Sequence, residues 1–482
     1  GIEDEKIKDI YEIRTRQALS KRGIDPIKLG EEAEIPVNSS QVKIIGPSHD
    51  EAMDSLAAKI WLIENAQHTV DVTYYIFKPD LVGYSILGAL CNAVKRGVDV
   101  RIMVDSLGTF SPGHSELRAV ETCAADAGFI RNADGQLTTK KARVQVVIFN
   151  ALTKLQFNRR SHDKLLVVDG SFPAKSAVMT GGRNISLDYY GIDKQGSEDL
   201  DAFRDLEILI KAGKEASQEE YSVGRVSETY YTLLFAHTGN RLIKPYEASD
   251  EFDEGKYEDR YIYHRNKAQQ SLATLKAFPE IEKRMDAMPH YMADDFYETQ
   301  VRLSHQLSNL TSTKVTTNVI VNLEKNPNSI LYLISQIIDD TSKQGPLTGS
   351  LQIVSPYLFS GLYYDDDGEV IYDGAKETLE RLRQNPDFRL EVITNSVMTS
   401  DNFFTQAIID MGMAPRLLLT PELQKAWLSS NEKKGDSTEL VESEEWKRLI
   451  NHPQVFIYQT GGLDSAILGG DAHYGKLHAK FI

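Results

Sequence analysis

The stretch from Asn158 to Asn184 gathers residues able to do chemistry. It holds His162 and Lys164 ahead of Leu165-Leu166-Val167-Val168-Asp169, and it ends in Gly181-Gly182-Arg183-Asn184. The branched apolar run reads as a buried strand. Side chains two apart on a strand share a face, so His162 and Lys164 project together at its start. An imidazole beside a fixed ammonium suits chemistry on an anionic group. The glycine pair lets backbone approach closely and offers the Asn184 amide as a further donor. The chain closes on Leu477-His478-Ala479-Lys480-Phe481-Ile482, and of its eleven histidines only His162 and His478 are followed by lysine two places on.

This doubled pattern resembles the phospholipase D superfamily, whose members carry His-x-Lys-x4-Asp twice, each copy followed by Gly-Gly or Gly-Ser, one residue and Asn. His162, Lys164, Asp169, Gly181, Gly182 and Asn184 fill the first copy, and His478 and Lys480 begin the second, whose Asp would fall beyond Ile482. A strand cut there would leave an unpaired sheet edge, which points to a fragment of a longer protein. Thr394-Asn395-Ser396, Asp401, Tyr189-Tyr190-Gly191 and Phe203-Arg204-Asp205 resemble the bacterial cardiolipin synthase branch. The resemblance implies a phosphodiester reaction. One histidine (His162 in this reading) attacks phosphorus and forms a phosphohistidine, and His478 acts as acid and base. Lys164 and Lys480 would hold the non-bridging oxygens. Asp205 would hold a catalytic histidine's other ring nitrogen, with Glu207 second for that role. Asn184, Gly182, Asp169 and Arg160 are the residues expected about the substrate, Asp169 mainly as an anchor of strand and loop. No metal or cofactor is required. The implied partner is a phospholipid at a membrane surface, which places the protein peripherally on a membrane or in a bacterial cell envelope. A metal-independent nuclease and a catalytically inactive lipid-binding homologue are the alternatives.

The surrounding elements follow an α/β grammar. Val42 to Ile45 reads as a strand, Asp50 to Asn65 as a core-facing helix, and Thr69 to Phe77 as a strand. Ser85 to Lys95 reads as a helix, Val98 to Val104 as a strand, Ser115 to Ala127 as a helix, and Val144 to Phe149 as the strand before His162. Alternating strands and helices of this kind imply neighbouring parallel strands. Beyond 215 strand-like runs thin out, and helical patterns cover Val226 to Phe235, Tyr257 to Leu275 and Ala293 to Leu307. Their tyrosines and phenylalanines read as helix packing. The first grammar then returns: strand Val315 to Val321, helix Ser329 to Asp339, strand Leu351 to Tyr357, helix Ala375 to Gln384, strand Leu390 to Ile393. The expected fold is two duplicated α/β domains, each a mostly parallel mixed sheet flanked by helices and related by a pseudo-twofold. Its parts are an N-terminal helical arm over 1–40, a first domain over 41–214, a helical connection over 215–315 and a second, C-terminally incomplete domain over 316–482. The stretch Asn431 to Glu445 reads as a surface excursion. The sequence does not specify an oligomeric state.

Composition narrows the classes. The chain has 482 residues, too many for one ordinary core. A formal net charge of −16 makes a nucleic-acid partner unlikely. Between Lys140 and Lys164, however, seven basic residues (Lys140, Lys141, Arg143, Lys154, Arg159, Arg160, Lys164) face one acidic residue, Asp163, a device for focusing an anionic substrate. No apolar run approaches a membrane span. The start at Gly1 opens directly into charge rather than a signal peptide, and reads as processed. Cys91 and Cys123 are too few for a disulfide framework, and are expected to be buried or unpaired.

Overall fold

A computed structural model describes residues 37–105, 114–149, 161–214, 222–237, 239–243, 262–305, 307, 328–355, 362–364, 367, 369–395, 444–460, 477, 478, 480 and 482. The chain divides into two compact units, Gly1–Asp199 with Leu206–Leu303, and Leu200–Asp205 with Ser304–Ile482.

The first unit is built on a nine-stranded mixed sheet. Its strands are β1 (Asn38–Ile45), β2 (Thr69–Tyr74), β3 (Asp99–Asp105), β6 (Val144–Phe149), β7 (Lys164–Val168), β8 (Ala177–Gly181), β9 (Glu207–Ala212), β10 (Arg241–Leu242) and β11 (Tyr297–Val301), in the order β10-β6-β3-β2-β7-β8-β9-β1-β11. The central run β6-β3-β2 is parallel, and the flanking pairings are antiparallel. Every residue of β2, β3 and β7 is buried, as expected of strands covered on both faces. Helix α1 (His49–Asn65) starts at a capping box in which Ser48 accepts from the Glu51 N–H and the Glu51 carboxylate reaches back. Helix α2 (Leu81–Lys95) is capped by Asp80 and links β2 to β3. After α3 (Ser115–Thr122) come a short 3-10 turn and the exposed hairpin of β4 (Phe129–Arg131) and β5 (Leu137–Lys141).

One sheet face carries a buried ion pair. Asp71 and Arg101 are register partners on β2 and β3, and the guanidinium donates twice to the carboxylate at 2.7 and 2.9 Å. Helix α4 (Val223–Phe235) covers this face, placing the Tyr231 and Phe235 rings 5.0 and 5.4 Å from the guanidinium carbon. Helix α5 (Tyr263–Ala277) packs on α2, and α6 (Pro279–Tyr291) on α1, where Arg284 bridges Asp50 and Asp54 at 2.8 and 3.1 Å.

The second unit contains a three-stranded parallel sheet, β12 (Gly349–Val354), β15 (Phe388–Asn395) and β16 (Val455–Thr460), with β15 in the middle. A small hairpin of β13 (Leu362–Tyr364) and β14 (Val370–Asp373) precedes α8 (Gly374–Gln384). Helix α7 (Ile330–Lys343) comes before the sheet and α9 (Glu444–Ile450) before its last strand. Ala375, Leu382, Leu390, Val392, Leu449, Ile450 and Val455 form the core.

Several expectations change. Ala293 to Leu307 is not a helix: Tyr297–Val301 is a strand whose backbone pairs antiparallel with β1, and an exposed, polar edge strand carries too few apolar residues to announce itself. Helices α5 and α6, within the stretch read as a connection, fall in the first unit. Cys91 and Cys123 are buried as expected but not unpaired. They form a disulfide joining α2 to the turn after α3, with Cα atoms 5.6 Å apart. The N-terminal arm up to residue 36, Arg160, the strand Val315 to Val321, Ser396, Asp401 and the stretch 431–443 lie outside the described residues. No helix among the described residues is long and apolar enough to cross a membrane.

Candidate active site

His162 stands two residues before β7 and is exposed, whereas Lys164, the first residue of that strand, is buried. Antiparallel pairing sets Lys164 opposite Tyr74, the last residue of β2, so the candidate site lies where the parallel strand β2 ends. The Lys164 ammonium turns back and donates to the His162 carbonyl oxygen at 2.8 Å. The Thr180 hydroxyl of β8 donates to the Lys164 carbonyl oxygen at 2.8 Å. Tyr75 lies parallel to the His162 ring, with centroids 4.0 Å apart and planes 18° from coplanar. Between the two motif residues, Asp163 accepts from the Tyr230 hydroxyl of α4 at 2.6 Å. Desolvation, and then the Asp163 charge, raise the Tyr230 phenol well above its ordinary value, so it stays protonated and donates.

The second unit holds the other histidine. Its Nδ1 donates to Asp205 Oδ2 at 2.7 Å, and Asp205 is completely buried. That bond orients the imidazole through Nδ1. Lys480 Nζ lies 3.4 Å from that Nε2 and donates to the His478 carbonyl oxygen at 2.9 Å. Lysine thus folds back on the histidine carbonyl in both His-x-Lys copies. Backbone pairing brings Asp205 and His478 together: Arg204 bridges Leu477, and the His478 N–H donates to the Arg204 carbonyl oxygen at 2.7 Å. Phe203 packs its ring 5.7 Å from the imidazole.

The remaining expected residues sit differently. Glu207, second in line to hold a histidine, is instead fully buried against Lys59 at 2.6 Å and Arg183 at 3.2 Å, and accepts from Ser55. Burial works to raise its carboxyl, but the Lys59 and Arg183 charges outweigh that and hold it below the ordinary range. Asn184 and Gly182 turn their polar groups inward. Asn184 is 1% exposed, its Oδ1 accepts the Ile76 N–H at 3.0 Å, and its Nδ2 donates to the Tyr189 hydroxyl at 3.0 Å. The Gly182 N–H donates to the Leu206 carbonyl oxygen at 2.9 Å. These bonds clamp the turn. The glycine that turn cannot do without is Gly181, where a Cβ would meet the Leu206 carbonyl oxygen at 2.4 Å. Asp169 stands at the far end of β7, roughly 16 Å of strand from Lys164. Its carboxylate accepts the N–H groups of Gln67, His68 and Thr69 at 3.0, 2.7 and 2.9 Å, which anchors the end of the strand to that loop. Among the described residues no group of three or more His, Cys, Asp or Glu side chains is arranged to hold a metal ion.

Residues 60–195 match the family model described as cardiolipin synthase, PLD-like domain. Over this stretch the chain is similar to the cardiolipin synthase-like branch of the phospholipase D superfamily. Cardiolipin synthase C of Escherichia coli (strain K12) is 32% identical over 172 residues, covering 33% of this chain and 30% of that relative. Cardiolipin synthase 1 of Bacillus cereus is 30% identical over 153 residues, covering 31% of this chain and 25% of its own length. The matched stretches thus span less than a third of either curated relative. A crystal structure of phosphatidylserine synthase from Haemophilus influenzae Rd KW20 aligns over 84% of this chain and 74% of its own, at 12% identity and a TM-score of 0.42. Inside the matched stretch lie His162, Lys164, Asp169, Gly181, Gly182 and Asn184. His478, Lys480 and Asp205 lie outside it.

Sequence reasoning missed Tyr75 and Tyr230. A signal for the first was available: adjacent tyrosines at a strand end put one ring in the core and the other on the face beside His162. Nothing in the sequence marks Tyr230, whose partner lies 67 residues away.

Proposed function

We propose that the chain is a phospholipase D-type phosphatidyltransferase of the cardiolipin synthase kind, acting on glycerophospholipids through a phosphohistidine. The observation carrying this reading is the carboxylate–imidazole pair of Asp205 and His478, 2.7 Å apart with Lys480 alongside; the His162–Lys164 pair has the same lysine fold-back onto the histidine carbonyl. A buried carboxylate on Nδ1 holds the ring in one orientation, so that proton exchange falls to Nε2, which is what an acid–base histidine needs. In the proposed first step His162 attacks phosphorus, the bond to the leaving alkoxide breaks, and His478 gives the alkoxide its proton. In the second, an acceptor hydroxyl loses its proton to His478 and displaces His162, restoring both imidazoles. A lipid hydroxyl as acceptor gives transfer, and water gives hydrolysis. Lys164 and Lys480 supply the positive charge that the non-bridging oxygens gather. The reading requires both histidines to act on one phosphorus, and a duplicated architecture would supply that requirement. The parallel three-strand run with a helix between its first two members recurs in each unit, which supports duplication.

The test is to incubate the full chain with labelled phosphatidylglycerol, phosphatidylethanolamine and DNA, with and without EDTA. Product from lipid alone, indifferent to chelation and reduced at least ~10²-fold by His162→Ala, is the expected result. Cleavage confined to DNA would reassign the protein as a nuclease, and no turnover of any substrate would leave a binding protein.

A further inference from the structure

Tyr75 follows directly on β2 and lies outside the motifs that single out His162, Lys164 and Asn184. Its ring covers one face of the His162 imidazole at 4.0 Å between centroids, and Lys164 Nζ stands 6.0 Å from the centroid of the same ring. The ring is carried by a pinned backbone. Tyr74, the preceding residue, is 2% exposed and locked in the core. The two peptides flanking the Ile76 Cα are each held: Ile76 N–H donates to Asn184 Oδ1 at 3.0 Å, and the Ile76 carbonyl oxygen accepts the Ile185 N–H at 3.0 Å. Lys78 N–H donates in turn to the Ile185 carbonyl oxygen at 2.9 Å. Asn184 is itself fixed by the Tyr189 hydroxyl at 3.0 Å and, through its carbonyl oxygen, by the Tyr190 hydroxyl at 2.7 Å.

His162 precedes its strand and is exposed, so burial does not set the orientation of its ring. A near-parallel aromatic surface at this separation restricts rotation of the imidazole, and its negative π face accepts either the neutral or the protonated ring. We propose that Tyr75 is a positioning residue for the candidate reaction: its ring is the platform on which His162 is held beside Lys164, and Asn184 acts through that platform by locking the peptide at Ile76. This rests on the phosphohistidine reading above, and it gives the inward-turned Asn184 a task in the reaction.

The experiment has one arm that needs no turnover. In the full chain, labelled at histidine, the His162 ring protons are assigned by their disappearance in His162→Asn. Stacking on Tyr75 predicts that they resonate upfield of ordinary imidazole protons. They should move downfield in Tyr75→Leu and stay in place in Tyr75→Phe, which keeps the ring and removes only the hydroxyl. Tyr75→Met, near in volume and without a ring, repeats the test should the leucine variant fail to fold. The second arm measures phosphatidylglycerol turnover in mixed micelles. Loss of the ring is expected to lower kcat about tenfold at nearly constant KM, and Tyr75→Phe to restore it. His162 resonances that are not upfield in the parent, or are unmoved in a folded ring-less variant, overturn the platform. So does a phenylalanine variant as impaired as the leucine one. A parent chain that turns over no lipid while its His162 resonances behave as described would count against the functional reading alone.

Discussion

Asp205 is the carboxylate that the family resemblance set against a catalytic histidine, although an acidic residue entering an apolar strand is ordinarily a solvated edge. It is completely buried and receives His478 Nδ1 at 2.7 Å. Removing it frees the imidazole to change tautomer and to rotate. Asp205→Ala is therefore expected to lower kcat by about 10- to 100-fold, comparable to losing the partner that orients a ligating histidine, with KM changed much less. Asp205→Asn keeps the shape but can present an amide N–H to Nδ1, and is expected to be as damaging. Steady-state kinetics on phosphatidylglycerol checks both, and an undiminished kcat in the alanine variant would remove Asp205 from the mechanism. The residues proposed to react stood out in the sequence because histidine and lysine recur at one spacing beside apolar strands. Those that hold them were less so. Asn184 shows why: its motif position suggests a donor to substrate, but its direction is set by a turn in which Gly182 N–H is already bonded to Leu206.

At the scale of elements, the parallel strands and the helices between them were readable from apolar periodicity. Strands β2 and β3 and helices α1, α2 and α8 stand within a few residues of where the pattern places them. The β4–β5 hairpin and β11 were not, because both are exposed strands whose pairing is set by backbone partners rather than by a buried face. Helix α3 carries a less visible cost. Its Glu121 is 4% exposed, and burial pushes its carboxyl up to about 8 against an ordinary 4.5, the Arg118 charge pulling weakly the other way. A carboxyl whose folded pKa is raised holds its proton more tightly folded than unfolded. Its effect on stability is therefore nil below about pH 4.5, and it becomes increasingly unfavourable up to about pH 8. Each pH unit in that window costs about 1.4 kcal/mol. Glu121→Gln is expected to match the parent's melting temperature near pH 4 and to exceed it by several degrees at pH 8. Parallel melting curves for the two proteins across that range would show that Glu121 stays charged in the fold.

The whole molecule divides into two units, and the sequence located that division only in part. A helical stretch between two α/β grammars reads naturally as a linker, but α5 and α6 bury Leu272, Leu275, Ile281 and Met288, and belong to the first unit. Amphipathic spacing says that a helix has a partner and not which domain supplies it. The cysteines bear on the same division. The chain has two, and their bond joins α2 to the turn after α3, closing a loop between positions 32 apart inside the first unit. Cross-linking such a loop destabilises the unfolded chain by about 4 kcal/mol in the chain-entropy account. Two compact units need not unfold as one. Calorimetry is therefore expected to resolve two transitions, and a reductant, or Cys91→Ala with Cys123→Ala, should lower one of them by several degrees while the other stays put. Mass spectrometry after alkylation without reduction should find neither cysteine modified in the native protein. A single transition that shifts as a whole would mean that the units unfold together, and two that both ignore the reductant would mean that the thiols are not joined.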